Sequence, residues 1–276
     1  MHEKNKLINT IISDIFVKSR FKGTILNRIQ KYYILVSKSQ TKLITSLQQK
    51  KYRTQHGLFV AEGPKVIAEL LNEGLKLHSF FSTNSEEISG PDHYLVTENE
   101  LKKISFLKTA NSSLAVFEIP KTSPYKDAGL IVALDAIRDP GNLGTIIRLC
   151  DWFGVKQILC SEDTADCFNP KVVQATMGSL ARVAVHYVSL AEYFEKTALP
   201  IFGGFMDGKN IYSEKLPKEG IVVMGNEANG ISEEIKQQIT HRISIPRFGD
   251  SQKTESLNVA TATAILLSEF RRSIEM

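Results

Sequence analysis

Six short apolar segments in the second half of the chain constrain its fold more than any other feature of the sequence. Helix-like stretches separate most of these segments, which lie at 130–134, 155–160, 183–187, 200–204, 221–225 and 242–245. Apolar strands that alternate with helices are typical of a parallel sheet covered on both faces. The sequence therefore predicts an α/β domain over residues 129–276.

The first of these strands leads into a polar turn. Leu134 is followed by the turn sequence Asp139-Pro140-Gly141-Asn142, and a helix with an apolar face continues to Gly154. We interpret Asn142 as the N-cap of that helix, which places Arg148 in its second turn. A polar turn at a helix N-terminus can hold an anion or a sugar edge. The same stretch also fits an ordinary crossover with Arg148 in solvent, because Asp-Pro-Gly-Asn is a common turn sequence.

Two later strands end in similar polar loops. Gly225, which allows a ligand to approach the backbone closely, and Glu227 follow the fifth strand. The sixth strand ends at Pro246, and Ser256 and Asn258 then open a helix rich in alanine. Taken alone, Glu227 also fits a loop carboxylate or a helix N-terminal acid, and Ser256 and Asn258 also fit ordinary N-capping.

The first half of the chain predicts a smaller α/β unit. The pattern indicates helices over 43–52, 62–71 and 98–104 and strands over 57–61, 79–82, 93–96 and 114–119. Residues 119–128 contain two prolines and two lysines and are the predicted linker. We therefore divide the chain into an extension at 1–40, a small domain at 41–118, the linker and the larger domain.

The positive charge of the chain is concentrated at its start. Residues 1–55 carry 12 Lys and Arg against 2 Asp and Glu, whereas the net charge of the whole chain is only +4. A basic arm is expected of a protein that binds nucleic acid. A solvated helix surface or a disordered tail would carry the same charge pattern.

Several classes of protein are not expected from this sequence. The three cysteines are odd in number and lack C-x-x-C spacing, which argues against a disulfide framework and a zinc site. The apolar runs are shorter than the roughly 20 residues that span a bilayer, and no secretory signal pattern is present. The G-x-G-x-x-G pattern of Rossmann-type domains is also missing after the first strand. We expect a cytoplasmic protein without a metal.

Three motifs resemble those of a known family. DPGNLGTIIR, MGNEANG and IP…ESLNVATA occur in the order, and at roughly the spacing, of the signature motifs of the SpoU branch of SPOUT RNA methyltransferases. Residues 169–170 and 176–179 resemble a further segment of that family. The stretch KYRTQHGLFVAEGPKVIAELL resembles the L30e-like substrate-binding domain that precedes the catalytic domain in many of these enzymes. One departure is the loop between Pro246 and Ser256, which is longer than in the family pattern.

The resemblance implies a fold and an activity that the patterning alone does not. It implies a parallel sheet with a C-terminal deep trefoil knot, and S-adenosylmethionine as the methyl donor bound within that knot. It also implies a homodimer whose active sites lie at the subunit interface. The expected reaction is methyl transfer to a ribose 2′-hydroxyl of RNA, most readily ribosomal RNA. The other class that fits is a non-catalytic RNA-binding protein of ribosome assembly that retains the knot.

The family's site residues carry over onto matching positions. The polar positions expected to act on the substrate are Asn142, Arg148, Glu227, Ser256 and Asn258. The positions expected to contact the cofactor are Gly204, Gly225, Ile245 and Leu257. The positions expected to bind RNA are Lys50, Lys51 and Arg53. Because a guanidinium stays protonated near neutral pH, we expect Arg148 to position the substrate and stabilise charge, with Glu227 or a phosphate-linked water accepting the proton.

Overall fold

The computed structural model describes residues 36–249 and 256–275. Most of the predicted basic extension at 1–40 lies outside these ranges, as does the middle of the long loop between Pro246 and Ser256. Two α/β units follow one another along the described chain. None of the helices in the described ranges is long and apolar enough to cross a membrane.

The first unit is built on a four-stranded mixed sheet. Its elements are α1 (Lys38–Ser46), α2 (Lys50–His56), β1 (Leu58–Glu62), α3 (Pro64–Asn72), β2 (Leu77–Ser82), β3 (His93–Leu95), α4 (Glu98–Ile104) and β4 (Ser113–Glu118). The strand order is β1-β4-β2-β3, in which β4 is antiparallel to both neighbours and β2 is parallel to β3. The strands and the later helices were predicted, with ends that differ by no more than two residues.

The single helix predicted over 43–52 is wrong, because the chain breaks between α1 and α2. Arg53 Nη1 donates hydrogen bonds to the carbonyl oxygens of Leu47 and Gln48, each at 2.8 Å. A helix leaves its last carbonyl groups without intrahelical partners. The guanidinium satisfies two of these groups and so stabilises the break, an effect that helical periodicity cannot reveal.

The second unit is the predicted parallel α/β sheet. Its elements are β5 (Leu130–Leu134), α5 (Pro140–Trp152), β6 (Gln157–Cys160), α6 (Pro170–Thr176), β7 (Ala184–Tyr187), α7 (Leu190–Phe194), β8 (Ile201–Asn210), β9 (Gly220–Met224), α8 (Glu233–Lys236), β10 (His241–Ser244) and α9 (Val259–Glu275). The strand order is β10-β8-β9-β5-β6-β7, and every neighbouring pair is parallel. The fold class is therefore confirmed as α/β with a parallel sheet.

The strand β8 extends well beyond the predicted segment at 200–204. It pairs with β10 at Gly203 and again at Lys209, so residues 204–208 bulge out of the ladder. Arg242 holds the bulge, because its guanidinium lies 3.6 Å from the centre of the Phe205 ring and donates to Asp207 Oδ1 at 2.6 Å. The bulge lies towards the carboxyl end of β8 and lines a cavity described below.

The two units share one hydrophobic core. Buried side chains of the first unit, among them Phe59 and Phe117, belong to the same apolar cluster as Leu134 and Ile146 of the second. The ring of Phe59 lies 5.0 Å from that of Phe168, centre to centre. Burial of apolar surface between the units opposes their separation. The first unit is therefore docked on the second over an apolar contact.

The predicted linker is held against the second unit. Lys126 N donates to Gln157 Oε1 at 3.0 Å. Asp127 Oδ1 accepts hydrogen bonds from Tyr193 Oη at 2.7 Å and from Thr197 Oγ1 at 2.6 Å. These bonds, in addition to the shared core, fix the path of the chain from one unit to the next.

The three cysteines lie inside the second unit without disulfide bonds. Cys150 and Cys160 are fully buried and Cys167 is nearly so. Burial raises the pKa of all three thiols, and that of Cys167 reaches about 12. The raised pKa keeps each thiol protonated near neutral pH.

We expect an aromatic disulfide reagent to modify none of these thiols rapidly in the native protein. The thiolate is the reactive form, and the core both excludes the reagent and disfavours that form. Labelling at about pH 8, close to the ordinary thiol pKa, should proceed only as fast as the protein unfolds. The same protein in denaturant should react at all three positions. Rapid modification of any one cysteine in the native state would contradict the packing.

Candidate functional site

The loops that carry the three motifs meet at the carboxyl ends of the parallel strands. Asp135 Oδ2, just after β5, accepts a hydrogen bond from Ser232 N at 2.7 Å. Asn226 Nδ2, just after β9, donates to the carbonyl oxygen of Ala136 at 2.7 Å. Ligands of open α/β sheets bind outside the carboxyl ends of the strands. The geometry therefore places a candidate site where the sequence motifs predict one.

The N-cap of α5 is Asp139, so the prediction that Asn142 caps this helix is wrong. Asp139 Oδ1 accepts a hydrogen bond from Asn142 N at 2.8 Å, and Pro140 occupies the first helical position. Aspartate followed by proline is a frequent start of a helix, so the sequence did contain the signal. The consequence is functional, because the side chain of Asn142 is free to make other bonds.

Asn142 joins the other two motifs in a chain of side-chain hydrogen bonds. Asn258 Nδ2 donates to Asn142 Oδ1 at 2.9 Å, and Asn142 Nδ2 donates to Glu227 Oε1 at 2.6 Å. The orientation of the first amide is set by the helix it caps, because Asn258 Oδ1 accepts from the backbone N–H groups of Ala260 and Thr261. The donor and the acceptor of each hydrogen bond in the series are therefore fixed, and the last acceptor is the carboxylate of Glu227.

The packing of the loop after β9 requires a glycine at position 225. A Cβ on Gly225 would lie 2.2 Å from backbone atoms of Gly230 and Ile231. Asn226 and Gly230 close the loop with two backbone hydrogen bonds, at 2.9 and 2.8 Å. The close approach that the sequence predicted for a ligand is therefore made first by the polypeptide itself.

A cavity of about 720 Å³ opens beside this chain of hydrogen bonds. All four residues predicted to contact a cofactor line it, namely Gly204, Gly225, Ile245 and Leu257. Glu227 and Ser256 line it as well, together with apolar side chains such as Met224 and Leu266. Its volume lies within the range of about 300 to 1,000 Å³ typical of small-molecule sites. The bulge in β8 and the loops after β9 and β10 thus form one concave site.

A second cavity, of about 810 Å³, lies on the opposite edge of the sheet. It adjoins the start of β8 at Ile201 and the start of β10 at His241. It contains none of the predicted site residues. The loops that carry the three motifs therefore lie beside the first cavity and not beside the second.

Arg148 is the one substrate-binding candidate that does not join the group. Its side chain is exposed on α5, it does not line the cavity, and it has no hydrogen bond or ion pair with any residue that the structure describes. Trp152, one turn further along the same face, is 84% exposed. Within a single chain Arg148 therefore points to solvent.

The three residues predicted to bind RNA have different surroundings. Lys50 and Lys51 are exposed on α2, and Lys50 Nζ lies 5.4 Å from the centre of the Tyr187 ring. Arg53 is only 2% exposed, and its guanidinium donates to Asp166 from Nε at 3.0 Å and from Nη2. Because the guanidinium is buried and bonded to Asp166 and to two carbonyl groups, the structure does not present Arg53 to a phosphate as the prediction requires.

Sequence reasoning missed residues that hold the loops together. Asn226 ties the β9 loop to the β5 loop, and its Oδ1 also accepts from Ala228 N at 2.9 Å. Ala136, which it contacts, adopts a left-handed conformation with φ of 59°. Such a conformation is strained for a residue with a Cβ and persists where neighbours enforce it. The position of Asn226 within MGNEANG was visible in the sequence, but its partner was not.

Comparison with known proteins gives a consistent result for both units. Residues 129–268 match the model of the SpoU rRNA Methylase family, and residues 38–115 match an MRM3-like substrate binding domain. A 23S rRNA (guanosine(2553)-2′-O)-methyltransferase of Bacillus subtilis is 27% identical, over 82% of this chain and 93% of its own. A 23S rRNA (guanosine-2′-O-)-methyltransferase of Neisseria meningitidis is 26% identical, over 79% of this chain and 85% of its own.

Solved structures resemble the chain over most of its length. A putative RNA methyltransferase of the TrmH family from Porphyromonas gingivalis superposes with a TM-score of 0.78 and is 38% identical, over 87% of this chain and 99% of its own. An AdoMet-bound rRNA methyltransferase from Sinorhizobium meliloti superposes with a TM-score of 0.76 and is 28% identical, over 87% of this chain and 96% of its own.

Proposed function

The chain belongs to the SpoU rRNA methylase family, and we propose that it transfers a methyl group from S-adenosylmethionine to a ribose 2′-hydroxyl of ribosomal RNA. Two relatives are named as 2′-O-methyltransferases of 23S rRNA, and a similar structure is described as AdoMet-bound. The observation that carries the proposal is the hydrogen-bonded chain from Asn258 through Asn142 to Glu227 beside the cavity.

The cavity fits the methyl donor in size and in chemistry. Apolar side chains at Ile245 and Leu257 offer surfaces for a purine base, and backbone atoms at Gly204 and Gly225 offer polar groups for the remainder. Glu227 supplies a negative charge at the same cavity. S-adenosylmethionine supplies a methyl group on a positively charged sulfur, which a nearby carboxylate stabilises when it is bound.

The residues of the chain then have to position a ribose hydroxyl and remove its proton. In the described part of the chain, Glu227 accepts a hydrogen bond at Oε1 only, from Asn142. Oε2 is therefore available to accept the proton of the 2′-hydroxyl. The bond from Asn142 fixes the orientation of the carboxylate, and Asn258 fixes Asn142 in turn. A positioned general base of this kind contributes about 10²- to 10⁴-fold to a rate.

We propose that the C-terminal segment forms the deep trefoil knot of this family. From the edge strand β10 the chain returns to the middle of the sheet, where Asn258 contacts Asn142 at the start of α5. The helix α9 then packs on α5 and β9. A return to the centre of the sheet is the path that threading requires.

We propose a homodimer formed through the exposed face of α5. Thr145, Arg148 and Trp152 are exposed at helical spacing along this face. Tryptophan is enriched among the residues that become buried at the core of a protein interface. Contact through this face would bring Arg148 of one copy to the substrate site of the other, where its charge can position the RNA.

We propose that residues 41–118 form an L30e-like substrate-binding domain, connected by the linker at 119–128 to the methyltransferase domain. The match of residues 38–115 to an MRM3-like substrate binding domain supports this division. Lys50 and Lys51 are its candidate phosphate contacts, since both are exposed on α2. The three free cysteines fit a cytoplasmic location.

The assignment of the base is tested with Glu227→Gln. We expect the rate of methyl transfer to unmodified 23S ribosomal RNA to fall by about 10²-fold or more. Glu234→Gln removes an exposed carboxylate of α8 that lies outside this cavity, and it should leave the rate unchanged. An unaltered rate for Glu227→Gln would reassign the proton to another acceptor, such as a phosphate-linked water.

The cofactor site is tested with Gly225→Ala. The added Cβ collides with the backbone at Gly230, so the loop must move and distort the cavity wall. We expect the affinity for S-adenosylmethionine, measured by titration calorimetry, to fall by about tenfold or more, equivalent to at least ~1.4 kcal/mol. Gly90→Ala is the control, because it lies in the first unit, outside this cavity, and its Cβ meets only the side chain of His93. Equal affinities for the two variants would place the donor elsewhere.

The shared active site is tested by mixing two inactive chains. Arg148→Ala and Glu227→Gln, carrying different tags, are unfolded together, refolded and purified as mixed dimers. If Arg148 acts on the partner's site, one of the two sites is complete, and roughly half of the wild-type rate per dimer should return. Mixed dimers without activity would show that Arg148 acts within its own chain, and a monomer in sedimentation would remove the dimer from the proposal.

A further inference from the structure

The ion pair between Arg53 and Asp166 lies on the same edge of the large sheet as the active site, namely the edge formed by the carboxyl ends of the strands. Asp166 belongs to the segment that leaves the carboxyl end of β6 and leads to α6. The guanidinium is 3% and the carboxylate 14% exposed. Arg53 is part of α2 in the first unit, so this contact joins the two units at that edge.

A second contact orients α2 along the same edge. Lys50 lies over the ring of Tyr187, the last residue of β7, with Nζ 5.4 Å from the ring centre. Tyr187 Oη donates to Ala165 O at 2.6 Å and accepts from Cys167 N at 2.7 Å, so the ring is fixed to the segment that carries Asp166. The helix α2 therefore lies over the carboxyl ends of β6 and β7.

The segment that receives Arg53 is itself bonded to the first motif. Ala165 N donates to Ile137 O at 2.8 Å, and Ala136 N donates to Ser161 Oγ at 2.8 Å. Two residues after Ile137 comes Asp139, the N-cap of the helix that carries Asn142. A short, hydrogen-bonded path thus runs from α2 to the loop beside Glu227.

The opposite end of the contact between the units has a different cluster. Arg182 contacts Glu69 of α3 and Glu73, the residue after α3, both at 3.0 Å. It also contacts Asp151 at the end of α5, at 2.9 Å. Arg182 lies two residues before the start of β7, and α5 runs away from the active-site edge. This cluster therefore joins the units at the far edge of the sheet, with its side chains partly exposed.

We propose that the Arg53–Asp166 ion pair is a positioning device for RNA, which holds Lys50 and Lys51 on the active-site edge so that one RNA contacts both α2 and the methyl-transfer site. The inference rests on the proposed function. Burial of an ion pair contributes little net stability compared with apolar side chains, but it fixes geometry, and that distinction favours a positioning role. The substrate class that fits is a folded RNA with a second backbone segment at a set distance from the target ribose.

The test measures binding and turnover separately, with an unmodified 23S ribosomal RNA transcript. Arg53→Met removes the guanidinium, and Asp166→Asn keeps the shape while it weakens the pair, in case the first variant folds poorly. We expect the Kd and KM for RNA to rise by about tenfold, while kcat and the affinity for S-adenosylmethionine stay within about twofold. Arg182→Met is the matched control, because it removes the ion pairs at the far edge.

A cycle with the lysines separates positioning from general loosening. Lys50→Gln with Lys51→Gln should weaken RNA binding in the wild-type background but add less than about twofold in the Arg53→Met background. Additive effects, or an equal loss in Arg182→Met, would overturn the proposal, as would an unchanged Kd in both Arg53→Met and Asp166→Asn. Wild-type protein that binds the RNA without methylating it would refute the proposed function, while the binding arm would still decide the role of the ion pair.

Discussion

The hydrogen bond from Asn142 to Glu227 is the contact on which the candidate site depends. It joins the first turn of α5 to the loop after β9, 85 residues further along the sequence, and it forms because Asp139 caps α5 and leaves the Asn142 amide free. The orientation of the Asn258 amide is fixed as well, because its oxygen accepts hydrogen bonds from N–H groups in the first turn of α9. Helix capping therefore sets the direction of the whole chain of bonds and orients a carboxylate at the cavity.

The parallel sheet explains why three distant motifs can meet. All six strands point the same way, so the loops after β5, β8, β9 and β10 emerge on one edge. Cross-loop bonds then set the positions of these loops, with Asp135 receiving Ser232 N and Asn226 holding the strained Ala136. Each bond is to a backbone group, which makes the arrangement depend little on the identity of neighbouring side chains.

The sequence predicted the periodic features of the fold and most of the residues that gather at the cavity. Apolar strands and amphipathic helices repeat locally, so the six strands of the large sheet could be located before their pairing was known. What escaped prediction depends on contacts between distant residues. The break after α1 requires Arg53, the role of Arg53 requires Asp166, and the bulge in β8 requires Arg242 from another strand. No local pattern distinguishes a buried arginine from one that contacts RNA.

The proposed homodimer accounts for the exposure of Arg148. Every other residue that the family pattern assigns to the substrate lines the cavity or belongs to the series of hydrogen bonds that ends on Glu227, whereas Arg148 faces solvent beside a tryptophan that is 84% exposed. In the single chain both the guanidinium of Arg148 and the ring of Trp152 are exposed to solvent. Both acquire a role if a second copy covers that face, because the aromatic ring is then buried and the guanidinium is delivered to a neighbouring cavity. On this view the geometry of α5 couples assembly to catalysis, since the face that buries the tryptophan also completes the site.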